Sequence, residues 1–170
     1  MRSKKKVFLV TGAAGFIGSH MVDYLLNKNF DVIGIDNLKN GRLDNIKHNL
    51  KSKKFSFFKM DILKINNLKK KIKSIDYIIH FAGLGEVVPS IENPNLYLEQ
   101  NIMGTSKVLD FSKNFKIKKF VYAASSSCYG LNNSKISEKD KISIEHPYAL
   151  SKYLGEYVAF SLSKIYKIPV

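Results

Sequence analysis

The 170-residue chain has no tryptophan, one cysteine, four prolines and only two arginines, and each scarcity excludes something. A lone Cys128 cannot close an internal disulfide, and no group of Cys and His has metal-ligand spacing. A disulfide scaffold is therefore ruled out, no metal or redox-couple mechanism is expected, and a reducing compartment is. Proline and glycine are too sparse for a collagen-like or low-complexity chain. No run approaches the ~18 consecutive apolar residues of a membrane span, so no membrane partner is expected. Met1 to Lys6 followed by Val7 to Val10 superficially resembles the basic and apolar parts of a secretory signal, but the apolar run stops at Thr11-Gly12. The reading is a cytoplasmic protein.

Acidic residues are also few, 14 against 28 basic, leaving a formal net charge of +14. Such an excess invites a nucleic-acid reading. Arginine, which makes bidentate phosphate and base contacts, is present only at Arg2 and Arg42, and the lysines scatter along the chain. A solvated lysine surface is the better reading, with no nucleic-acid partner. A non-catalytic RNA-binding module is the competing one, and it would show steeply salt-dependent polynucleotide binding.

With 45% hydrophobic and 25% charged residues, the composition is that of one soluble globular domain. Short apolar runs alternate with segments of helical period. Strands are expected at Lys6 to Thr11, Asp31 to Asp36, Phe55 to Met60, Tyr77 to Phe81 and Lys119 to Ala124. Helices are expected at Phe16 to Lys28, Asn66 to Ser74, Pro94 to Phe115 and Pro147 to Lys167, with a short one around Leu43 to Leu50. Strand, helix, strand with right-handed crossovers gives an α/β, doubly wound parallel sheet of the Rossmann type. Ile168-Pro-Val170 reads as the start of a sixth strand, so residues 1–170 are expected to be one dinucleotide-binding domain cut inside its last strand, without a C-terminal substrate domain.

Directly after the first strand, Gly12-Ala-Ala-Gly15-Phe-Ile-Gly18 opens a helix. Missing side chains there permit a tight turn, close approach of a pyrophosphate to backbone amides, and close packing of helix on sheet. Asp36 ends the second strand 18 residues after Gly18, where a carboxylate accepts hydrogen bonds from ribose hydroxyls and repels a 2′-phosphate. NAD is therefore favoured over NADP. Asp61-Ile62 and His80-Phe-Ala-Gly83 end the third and fourth strands, at the carboxyl edge where such sheets bind ligands. His80, inside an apolar strand, reads as a packed or capping residue without a catalytic role.

Tyr148 and Lys152 are four apart on a helix and so share a face. A cation beside a phenol stabilises phenolate and lowers its pKa from ~10 toward neutrality, which would make Tyr148 a base. The serine run Ser125-Ser126-Ser127 ends the fifth strand.

Together, Thr11 to His20, Asp36-Asn-Leu38, Asp61-Ile62, His80-Phe-Ala-Gly-Leu84, Asn101-Ile-Met-Gly-Thr105, Ala124 to Gly130 and Pro147-Tyr-Ala-Leu-Ser-Lys152 resemble the extended short-chain dehydrogenase/reductase superfamily. Within it they are similar to the NAD-dependent nucleotide-sugar epimerase/dehydratase family, over its N-terminal portion. The resemblance implies that Gly12, Gly15, Phe16, Ile17, Gly18, Asp36, Asn37, Asp61, Ile62, Phe81, Ala82, Gly83 and Asn101, with Tyr148 and Lys152, hold NAD. It implies that Ser125, Tyr148 and Lys152 are catalytic and that Ser125, Ser126 and Ser127 meet the sugar. Members that dehydrate the sugar carry an Asp-Glu pair where this chain has Ser126-Ser127, so the resemblance implies a 4-epimerase acting on a UDP-hexose or UDP-N-acetylhexosamine; 4,6-dehydration or decarboxylation is the alternative. Gly85 departs from the lysine that is frequent in the UDP-galactose branch. A homodimer through the two long helices is also implied.

Overall fold

The computed structural model describes residues 5–131 and 135–170; residues 1–4, which include Arg2, and 132–134 lie outside the described residues. Five strands, β1 (Val7–Thr11), β2 (Asp31–Asp36), β3 (Phe55–Lys59), β4 (Tyr77–His80) and β5 (Lys119–Tyr122), form one parallel sheet in the order β3-β2-β1-β4-β5. The helices are α1 (Phe16–Asn27), α2 (Val87–Glu92), α3 (Pro94–Leu98), α4 (Gly104–Ser112) and α5 (Pro147–Tyr166). This is the doubly wound fold that the alternation predicts.

Side chains alternate across the strands, and both faces are apolar. Leu9, Ile35, Ile78 and Phe120 pack on one side with Val108, Leu109 and Phe111 of α4 and Ala159 of α5. Val10, Val32 and Ile79 pack on the other with Val22 and Leu25 of α1. Because β2 and β3 lie to one side of β1 while β4 and β5 lie to the other, the direction of winding reverses between β1 and β4. The crevice at their carboxyl ends is the ligand position in such sheets.

The helix ends are chemically specified. After α1, Asn29 takes φ +68°, its N–H reaches Leu26 O at 2.9 Å, and the Phe30 N–H reaches Leu25 O at 3.1 Å. These are the paired bonds of a Schellman motif. Beyond α5 the Pro169 carbonyl accepts the Phe120 N–H at 2.7 Å, so the last residues lie against the outer edge of β5, where a sixth strand was expected to begin, though they form no strand here.

Three segments differ from expectation. In place of a helix over Asn66 to Ser74, a 3₁₀ helix spans Ile62–Leu68. Asp61 starts it early by accepting the Leu63 N–H at 3.0 Å, and Ile62, Ile65 and Leu68 repeat every three residues, which suits three residues per turn. Leu43 to Leu50 holds two 3₁₀ turns, Leu43–Asn45 and Lys47–Asn49, with Ile46 fully buried between them. The run from Pro94 is α3 and α4 joined through a π turn, Glu99–Met103. It is preceded by α2, which the sequence did not announce.

A buried polar chain crosses the apolar core at the crevice. The Thr105 hydroxyl donates to the Asn101 carbonyl at 2.6 Å, so it offers His80 Nε2, 3.0 Å away, only a lone pair. Nε2 therefore carries the ring proton. Nδ1 then accepts from the Thr11 hydroxyl at 2.6 Å, and Thr11 Oγ1 accepts the Ala82 N–H at 3.2 Å. Burial, helped by the charge on Lys152, holds His80 down to about 3 from 6.5. The sign of the stability effect follows: below pH 6.5 unfolded His80 takes up a proton that the folded residue refuses. From pH 7 down to about 5, stability should fall by up to ~1.4 kcal/mol per unit from this group. Urea unfolding should give a shallower slope for His80→Gln, and equal slopes would refute the neutral assignment.

Candidate functional site

The turn after β1 is built by exclusion of side chains. Gly12 has φ +68°, and a Cβ on it would lie 2.8 Å from the Ala82 amide nitrogen; one on Gly18 would lie 2.0 Å from the Gly12 carbonyl oxygen. The first contact brings the carboxyl ends of β1 and β4 together, and the second seats α1 on the turn after β1. Gly15 is the N-cap of α1, which has no side-chain cap and no acidic residue in its first turn. Its first amides and the positive end of its dipole are therefore left for an anion. Phe16 and Ile17 are 78% and 62% exposed, so their contribution to that turn is backbone.

Next to this turn lies a cavity of about 260 Å³ lined by Gly12, Gly15, Phe16, Asp36, Asn37, Ile62, Phe81, Ala82 and Gly83, together with Lys39, Asn40 and Gly41. Asp36 is 7% exposed. Its Oδ2 accepts the Ala14 N–H at 3.0 Å and its Oδ1 the Leu38 N–H at 2.8 Å, leaving one lone pair on each oxygen for a further donor. A Cβ at Gly41 would meet both oxygens at 2.8 Å, so the loop can wrap the carboxylate only with glycine there. Asn37 donates to Asp61 Oδ2 at 3.2 Å, while Asp61 Oδ1 caps the 3₁₀ helix.

Asn101 stands behind the wall of the cavity. It is buried in the π turn and holds Leu84 by both backbone groups, accepting the N–H at 2.7 Å and donating to the carbonyl at 3.0 Å. Its remaining proton goes to Ser151 Oγ at 2.8 Å. A Cβ at Gly83 would strike Asn101 Oδ1 at 2.7 Å.

Tyr148 on α5 meets Ser125 after the end of β5, and Lys152 lies one turn further along the same helix. Ser125 caps the 3₁₀ helix Ser126–Tyr129 by accepting the Ser127 N–H at 3.3 Å, and the Tyr148 hydroxyl donates to Ser125 Oγ at 3.3 Å. Ser126 is exposed and Ser127 half-buried. Lys152 is half-buried, and none of the ion pairs among the described residues involves it. Burial pushes its ammonium down to about 8, with the charges on Cys128 and Glu156 acting in the opposite direction.

Several residues that hold this triad were not legible in sequence. Ser90 accepts the Tyr148 N–H at 3.1 Å, satisfying a first-turn amide of α5. The His146 ring stacks on Tyr148 at 5.9 Å and 7°, and buried Tyr97 meets it edge-on at 6.5 Å. Tyr122 lies under Lys152, with Nζ 4.4 Å from its ring centroid. An aromatic in a β-rich run carries no sign of what it faces.

The close approach of α1 to the glycine turn can be tested without any ligand. Gly18→Ala should cost about 1–3 kcal/mol by overpacking against backbone. Gly85→Ala, where a Cβ meets nothing within 4 Å, should change stability by less than about 0.5 kcal/mol. Thermal unfolding of the two variants checks this; equal midpoints would contradict the tight contact.

Residues 9–170 match the family described as GDP-mannose 4,6 dehydratase. The UDP-glucuronate 4-epimerase of Thermodesulfobacterium geofontis is 34% identical over 174 residues, covering 96% of this chain and 53% of that protein. Among solved structures, the UDP-glucuronic acid 4-epimerase from Bacillus cereus in complex with NAD superimposes with a TM-score of 0.86 at 34% identity, covering 96% of this chain and 53% of that one. The dTDP-glucose 4,6-dehydratase DesIV from Streptomyces venezuelae with NAD bound has a TM-score of 0.88 at 29% identity, covering 95% and 53%. The chain thus spans about half the length of these relatives. With the glycine turn, the strand-end carboxylate and the Ser125, Tyr148 and Lys152 group on one sheet edge, the chain belongs to this family of nucleotide-sugar 4-epimerases and 4,6-dehydratases, over its N-terminal portion.

Proposed function

We propose that residues 1–170 are the NAD-binding domain of a nucleotide-sugar 4-epimerase that acts on a UDP-hexose or UDP-N-acetylhexosamine, with a C-terminal substrate domain supplying the nucleotide clamp and most of the sugar pocket. The observation that carries the reading is the 3.3 Å hydrogen bond from Tyr148 to Ser125, in a chain that also has an uncapped helix terminus and a carboxylate with free lone pairs at the carboxyl ends of its strands. These residues fit NAD: glycine backbone and the α1 terminus suit a pyrophosphate, and Asp36 suits an unphosphorylated ribose. NAD, when bound, supplies a hydride acceptor.

The protein's own part is proton transfer and positioning. Ser125 Oγ holds the sugar's 4-hydroxyl, and Tyr148 removes its proton as the C4 hydrogen leaves. Lys152 favours phenolate by charge. His146 and Tyr97 fix the Tyr148 ring, and Ser90 fixes the first turn that carries it. Ser126 and Ser127 offer hydroxyls but no general acid or base at neutral pH, which favours 4-epimerisation over loss of water.

In the protein carrying its C-terminal half, Tyr148→Phe should lower turnover of UDP-glucose or UDP-N-acetylglucosamine by about 10²–10⁴-fold while NAD stays bound. Undiminished turnover would remove Tyr148 as the base, and a product lighter by one water would assign the protein to the dehydratases. The same protein should sediment as a homodimer through α5 and the α3 to α4 run, which expose Tyr157, Phe160, Leu96 and Met103. A monomer at micromolar concentration would refute this pairing.

A further inference from the structure

None of the ion pairs among the described residues involves Lys152, and the packing beneath it offers its ammonium another support. Its Nζ is 4.4 Å from the Tyr122 ring centroid, whereas the other ammonium-ring pairs among the described residues lie at 5.3 to 5.9 Å and involve exposed lysines. Tyr122 also grips the backbone of the same residue, because its hydroxyl donates to the Lys152 carbonyl at 3.0 Å. Burial pushes the Tyr122 phenol well up, so this hydroxyl keeps its proton. Gly155 makes room: a Cβ there would lie 2.5 Å from the Tyr122 oxygen and 3.0 Å from the Asn101 carbonyl oxygen.

We propose that Tyr122 is a positioning residue for Lys152, its ring face supporting the ammonium by cation–π attraction while its hydroxyl fixes the same residue's carbonyl. The inference rests on the reading of Lys152 as the charge that favours Tyr148 phenolate. A carboxylate partner would hold the ammonium equally well but would add a negative charge beside Tyr148 and cancel the field that phenolate needs. A ring quadrupole has no net charge and decays faster with distance. Tyr122 therefore holds the cation without neutralising it. The other titratable groups around Lys152 are Glu156 on α5, Cys128 after β5, and His80 on β4, which burial keeps neutral.

Lysine labelled with ¹³C at Cε allows the Lys152 ammonium to be titrated by NMR in the 170-residue chain, its resonance assigned by absence in Lys152→Met. The wild-type midpoint is expected at about 8. Tyr122→Phe keeps the ring and should leave the midpoint within about 0.3 unit, whereas Tyr122→Leu should lower it by about one unit, a tenfold shift in the protonation equilibrium. A trifluorinated phenylalanine at position 122 keeps the shape and weakens the ring face, so it should lower the midpoint as leucine does even if the leucine variant fails to fold. An unmoved midpoint in the fluorinated variant overturns the proposal. NAD binding separates this from the functional reading: Lys152→Met binding NAD as tightly as wild type would remove Lys152 from the cofactor site, whatever the Tyr122 titrations give.

Discussion

The neutral imidazole of His80 joins the end of β1 to the π turn by side-chain hydrogen bonds on both of its nitrogens. Thr11 and His80 are register partners at the ends of β1 and β4, and their side-chain bond fixes the two strand ends that frame the crevice. Through Thr105 the same ring reaches the π turn, and through Asn101 the turn reaches Leu84 and Ser151 of α5. The glycine turn, the cavity wall and the helix bearing Tyr148 are thereby tied to one buried chain. Each of its groups is expensive to leave unpaired, about 1–3 kcal/mol apiece, so the chain is stable only when complete. A protonated His80 would offer Thr11 a donor where an acceptor is needed. The fold's response is to suppress protonation by burial.

That chain permits an approach of backbone to backbone that side chains would forbid. Gly12 against Ala82, and Gly18 against Gly12, press the helix and the two strands together at the point where the sheet's winding reverses. The cost is visible at α1, whose glycine N-cap forgoes a capping side chain at a loss of roughly a few tenths of a kcal/mol. Local stability is given up where unsatisfied amides are useful, a pattern expected of a binding site.

Much of this was legible because it depends on local composition. Alternating apolar runs of strand and helix length fix the doubly wound sheet, and glycine spacing with a strand-end aspartate marks the crevice. The failures share a cause in tertiary packing. Asp61 redirected the next segment into a 3₁₀ helix because its carboxylate found the Leu63 N–H, and the three-residue apolar repeat then served a turn of a different pitch. The π turn at Glu99–Met103 brings Asn101 to Leu84, seventeen residues away, a relation that no window along the chain contains. Asn101 is absent from the residues that line the cavity, and its amide protons go to Leu84 and Ser151. Tyr122 and Ser90 escaped notice because their partners belong to α5, dozens of residues later.

Electrostatics along the site follow the order in which a dinucleotide presents its groups. A carboxylate that still has lone pairs suits ribose hydroxyls, the adjoining helix terminus suits a pyrophosphate, and a cation held on an aromatic face suits a developing phenolate. The surface lysines that give the net charge of +14 are screened within about 8–10 Å at physiological ionic strength, so they steer anions without choosing among them. Lys152 differs from them in position more than in charge. Partly out of water, its field is weakly screened, and none of the ion pairs among the described residues involves it. Burial lowers its pKa toward neutrality while the aromatic support and nearby Glu156 oppose complete loss of the proton.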